Sequence, residues 1–100
     1  MSEYKTLLEF SRPEYIRDLS ANRLQDQGLL KVWFQVSKQT SEESIELSGF
    51  SELAEAVSGL LEAERVVISR EIESGKEFGT IRIECWVNQC YSEYTCDKAE

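Results

Sequence analysis

Two stretches of this chain alternate apolar and polar side chains with a strict period of two. Over residues 29–38, Leu30, Val32, Phe34 and Val36 fall on one side and Lys31, Trp33, Gln35 and Ser37 on the other. Over 80–88, Ile81, Ile83, Cys85 and Val87 oppose Thr80, Arg82, Glu84 and Trp86. Successive strand side chains point to opposite faces of a sheet, so such runs meet core and water together only as half-buried strands, the habit of antiparallel sheets. A chain with two such strands must find something apolar to cover each inner face.

The flanking segments supply the cover. Residues 4–10 alternate Tyr4, Thr6, Leu8 and Phe10 against Lys5, Leu7 and Glu9, which suits a short strand, with a helical turn as the competing assignment. Ser11-Arg12-Pro13-Glu14 has the residues of a helix start: a capping serine, a first-turn proline and a glutamate that completes a capping box. A helix is expected from there to Gln25 or Asp26, with Tyr15, Ile16, Leu19 and Leu24 inward and Gly28 as its stop. Residues 44–50 form a strand with Ile45 and Leu47 inward, making a hairpin with 29–38. Ser51 caps a second helix over 52–64, whose stripe of Leu53, Ala56, Val57, Leu60 and Leu61 opposes Glu52, Glu55 and Glu62. Gly59 weakens that helix by about 1 kcal/mol relative to alanine. Residues 65–72, rich in β-branched side chains, pair through a turn at 73–76 with 80–88 as a second hairpin. After Asn88 the pattern dissolves into a polar tail, 89–100.

The order strand, helix, strand, strand, helix, strand predicts an α+β fold: a ferredoxin-like βαββαβ-type two-layer sandwich with an additional C-terminal antiparallel strand. Residues 1–88 form the single domain and 89–100 its tail. One hundred residues suffice for one independent core, and 41% hydrophobic with 30% charged residues is globular composition. No apolar run reaches membrane-spanning length and the N-terminus lacks a leader pattern, so a soluble, cytoplasmic protein is expected.

The charge is placed rather than spread. Between Lys38 and Arg65 stand seven carboxylates and no cation, within a chain of net charge -8. Phosphate binding needs clustered Lys/Arg, so nucleic acid is not expected as a direct partner. Histidine is absent, which removes the commonest general base and zinc ligand. Cys85, Cys90 and Cys96 match no zinc or iron–sulfur spacing, and the expectation is one core thiol and two tail thiols. The carboxylate pairs Glu42/Glu43 and Glu52/Glu55 fall on a turn and an outer helix face, hydrated places that do not lift a pKa for acid–base work. Gly75 and Gly79 lack the phosphate-loop pattern. No catalytic residue, metal or cofactor is expected, and the chain is not expected to be an enzyme.

What remains is an interaction protein. Glu42, Glu43, Glu46, Glu52, Glu55 and Glu62 are the expected partner-binding residues, docking on a basic surface of another protein as an inhibitor or an immunity or anti-defence type protein; where that surface is a nucleic-acid channel, the carboxylates imitate phosphates. The alternative is a structural or regulatory ligand-binding module, or a homodimer, that uses its sheet face. Trp33 and Trp86 lie on the outward registers and supply its aromatic contacts, stacking if their strands are neighbours.

Overall fold

A computed structural model describes residues 4–23, 30–38, 40–72 and 80–99. Their elements are β1 (Tyr4–Ser11), β2 (Tyr15–Arg23), β3 (Leu30–Ser37), β4 (Glu42–Ser48), α1 (Leu53–Glu62), β5 (Arg65–Glu71), β6 (Ile81–Val87), β7 (Cys90–Cys96) and β8 (Lys98–Ala99). They form two four-stranded antiparallel sheets, β1-β5-β6-β7 and β2-β3-β4-β8. The inward rows of both sheets share one apolar core, with Val66, Ile68, Ile81 and Ile83 from the first and Val32, Phe34, Val36 and Leu47 from the second fully buried.

The ferredoxin-like expectation is therefore overturned: the described residues hold one helix, and the strands divide between two sheets. The change lies in 15–23, expected as helix and found as β2. Its end at Gln25 or Asp26, the inward Leu24 and the stop at Gly28 lie outside the described residues, as does the turn 73–76 with Gly75 and Gly79. In β2 the pairing with β3 slips between Ile16 and Asp18, leaving Arg17 as a bulge. A bulge inserts one residue and shifts the inside–outside parity, so Ile16 and Leu19, three apart, both pack on the core. That spacing imitates one face of a helix. The expected capping box forms in part: Ser11 N–H donates to Glu14 Oε1 at 3.2 Å. It closes a turn, in which Glu14 N–H donates to Ser11 O at 2.9 Å, and not a helix.

The second helix stands as α1. Ser51 does not cap it: Glu52 holds the N-cap position without a side-chain bond, while Ser51 N–H and Oγ reach the Thr95 carbonyl at 3.2 and 3.3 Å. α1 buries Ala56, Gly59 and Leu60 and packs chiefly against β6. Gly59 lets α1 approach closely there: a Cβ would stand 3.1 Å from Tyr94 Cε2 and 3.3 Å from Cys85 Sγ, so both side chains would have to give by a few tenths of an ångström to admit one.

The expected polar tail is strand. Asn88 and Gln89, both at positive φ (51° and 68°), form a two-residue turn, and β7 runs back along β6 from Val87↔Cys90 to Ile81↔Cys96. β8 then crosses to the other sheet, pairing Ala99 with Leu47. No helix among the described residues is long and apolar enough to cross a membrane.

Candidate functional site: the acidic surface

The fold splits the acidic segment in two. On β4, each carboxylate meets a cation from β2 or from the β3 end of the hairpin. Glu42 pairs with Arg17 and accepts from Gln35 Nε2 at 2.6 Å; Glu43 lies 3.4 Å from Lys38 Nζ, and Glu46 lies 3.1 Å from Lys31 Nζ. The first five residues of β4 also run along a sheet edge, since β8 reaches only Leu47 and Ser48. Charged side chains on an edge discourage strand addition by other chains, so these three residues have a structural task and a local counter-ion.

The α1 carboxylates differ. Glu52, Glu55 and Glu62 are exposed, and no ion pair among the described residues includes them. Spaced by three and seven residues, they lie along one stripe, and about 1.5 Å of rise per residue spreads them over roughly 15 Å. Glu55 and Glu62 line a groove of about 430 Å³ between α1 and the β6–β7 hairpin, walled by Val87, Ser92 and Tyr94. The last turn of α1 holds no basic residue, so Glu62 adds to the negative end of the helix dipole.

Trp33 and Trp86 are not neighbours: β3 and β6 belong to different sheets. Both are partly exposed, and their registers set them on the outer faces of the two sheets. Trp86 instead joins a cluster that the sequence reading missed. Its ring lies 5.2 Å from that of Tyr91, its cross-strand partner, and 5.1 Å from the Arg65 guanidinium, which reaches Glu9 at 3.7 Å. Tyr91 Oη stands 2.9 Å from both Glu84 Oε2 and Glu93 Oε2, and Arg82 bridges from Glu84 (3.2 Å) to the face of Tyr4 (3.8 Å). Lost hydration, followed by the hydrogen bonds and charges of Glu84 and Glu93, raises the Tyr91 phenol above its usual range. The alternation of Tyr91, Glu93 and Thr95 against Ser92, Tyr94 and Cys96 was the available signal for this strand.

All three thiols are free. Cys85 and Cys96 are both buried, so Cys96 is core and not tail, and burial pushes their thiols up to about 11 and about 12. Cys90 is exposed at the far end of β7. Six strand steps of about 3.3 Å separate it from Cys96 by roughly 20 Å, far beyond the reach of a disulfide. No cluster of three or more metal-ligating side chains occurs among the described residues.

Comparison with family models, with curated proteins and with solved structures returns no match.

Proposed function

We propose that the protein is a small acidic interaction module without catalytic activity, of the inhibitor or immunity type, that docks on a basic protein surface through the α1 carboxylates. One observation carries this: Glu52, Glu55 and Glu62 are exposed along one stripe without a counter-ion among the described residues, whereas Glu42, Glu43 and Glu46 each have one. Groups already matched by a local cation gain less from a partner's charge than unmatched ones do. The docking surface is accordingly narrower than the 42–64 segment, and β4 serves edge protection first. Charge complementarity of this kind raises association rate and specificity, and it weakens with salt. A partner that uses the same basic surface for nucleic acid would be blocked by these carboxylates standing where phosphates bind.

The test is capture from the native host at low salt followed by a salt gradient, using the wild-type chain and a Glu52→Lys, Glu55→Lys, Glu62→Lys variant. The variant is expected to lose the captured protein, while a Glu42→Gln, Glu43→Gln, Glu46→Gln variant keeps it. Equal capture by the α1 reversal would falsify docking through the helix.

A second mode, association through the outer face of the β1-β5-β6-β7 sheet, is favoured by the Trp86–Tyr91–Arg65 cluster, because Trp, Tyr and Arg dominate binding hot spots. Binding by that face would survive high salt and respond to Trp86→Ala rather than to charge reversal.

A further inference from the structure

In the order β1-β5-β6-β7, β7 has β6 on one side and no strand on the other. The two-residue turn at Asn88 and Gln89 makes Val87 and Cys90 a hydrogen-bonded pair, so Cys90, Ser92, Tyr94 and Cys96 turn their backbone groups toward β6. Tyr91, Glu93 and Thr95 therefore point theirs away. The Thr95 carbonyl accepts from Ser51 N–H at 3.2 Å, but the N–H and C=O of Tyr91 and Glu93 and the N–H of Thr95 have no partner among the described residues. Other edges are blunted, by bulges in β1 between Thr6 and Leu8 and in β2 at Arg17, and by paired charges along β4. β7 keeps an unbroken register with β6 and carries neither proline nor lysine. The groove of about 430 Å³ lies against this same strand: Ser92 and Tyr94 wall it from β7, and its charged lining consists of Glu55 and Glu62.

We propose that the free edge of β7 receives an added strand from the partner, an extended segment with lysine or arginine at alternate positions. The inference rests on the reading of the α1 carboxylates as docking residues and specifies the segment they hold. A strand laid about 4.8 Å beyond β7 pairs with the five open backbone groups. Every second side chain of that strand then turns toward the groove, beside Ser92 and Tyr94 and within the field of Glu55 and Glu62. Backbone pairing supplies affinity whatever the sequence, and the carboxylates select cations. A second copy of this chain fits poorly, because its own β7 brings Glu93 and a net charge of -8.

The probe is a peptide of alternating lysine and valine, read by amide hydrogen exchange of the full chain. One control has every peptide backbone amide methylated, and another has glutamate for lysine. The lysine peptide is expected to slow exchange at Tyr91, Glu93 and Thr95, and to bind roughly tenfold more tightly than the methylated one. Glu93→Pro removes one outward N–H and leaves the bonds to β6 in place, so it is expected to weaken binding roughly tenfold more than Glu93→Gln does. Unchanged exchange at those three amides, equal binding of the methylated peptide, or no binding at millimolar peptide would each overturn strand addition. None of these results touches the carboxylate reading, which the Glu52, Glu55 and Glu62 reversal tests separately. Equal binding of the glutamate peptide would overturn the choice of a basic occupant, and a dimer of the free chain that Glu93→Pro dissolves would assign the edge to a second copy instead.

Discussion

Gly49→Ala tests whether the last residues of the chain are part of the fold. Gly49 follows β4 at φ +77°, and a Cβ placed on it would stand 2.7 Å from both Asp97 Cβ and Asp97 Oδ2, and 2.9 Å from Asp97 Cγ. Asp97 cannot retreat freely, because its N–H donates to Ser48 O at 3.0 Å and it links β7 to β8. Two costs follow. The left-handed backbone conformation costs a non-glycine residue about 1–2 kcal/mol. Forcing an extra carbon into filled space costs about 1–3 kcal/mol more. Together they give a loss of roughly 2–5 kcal/mol, a large share of the stability of about 5–15 kcal/mol typical of a domain.

The two costs separate in a double-mutant cycle with Asp97→Gly, which deletes all three clashing atoms but leaves φ at position 49 unchanged. Urea unfolding of the four proteins, followed by far-ultraviolet circular dichroism, is the assay. The expected coupling energy is about 1–3 kcal/mol, with the left-handed cost remaining in the double variant. A loss below about 0.5 kcal/mol for Gly49→Ala, or strict additivity, would refute the contact between the 97–99 segment and the end of β4. The polar tail expected from sequence would then be the better description.

Three further outcomes follow from the packing of β6 and β7. Gly59→Val is expected to destabilise by about 1–3 kcal/mol despite any gain in helix propensity, since its side chain must enter the space held by Tyr94 and Cys85; a rise in urea midpoint would contradict the close approach of α1. Under native conditions one thiol, Cys90, is expected to react rapidly with a disulfide reagent, and Cys85 and Cys96 only after unfolding. Both buried thiols have folded pKa values above their ordinary 9.0, so the unfolded chain releases protons that the fold retains. Stability is therefore full below pH 9 and falls as pH rises through about 11, with a slope approaching 1.4 kcal/mol per pH unit for each thiol. Unfolding midpoints that stay level from pH 8 to 11 would contradict this.

The alternating runs at 29–38 and 80–88 specified their strands directly, because every second side chain in each is apolar and no bulge interrupts them. α1 was legible from the helical spacing of its apolar stripe and β5 from its β-branched residues, while β1, whose pairing slips between Thr6 and Leu8, was legible as a strand only against a competing helical turn. At β2 the local pattern pointed the wrong way. The bulge at Arg17 places Ile16 and Leu19 on one face at a spacing of three, and only the hydrogen bonds offered by β3 select the extended chain over the helix. β7 was hidden for the opposite reason: its inward residues Ser92, Tyr94 and Cys96 are too polar to read as a core face until Ile83 and Ile81 stand opposite the last two.

The acidic segment shows the same division. The sequence by itself placed seven carboxylates between Lys38 and Arg65, with core-type residues among them, and so determined that the charge decorates folded elements. Which carboxylates have no nearby cation among the described residues was a tertiary decision. Arg17 reaches Glu42 because β2 pairs with β3 rather than coiling into a helix, and Lys31 and Lys38 meet Glu46 and Glu43 across the β3–β4 hairpin. Charge count is a property of composition, but the field at a surface depends on which opposite charges the chain folds to within a few ångströms.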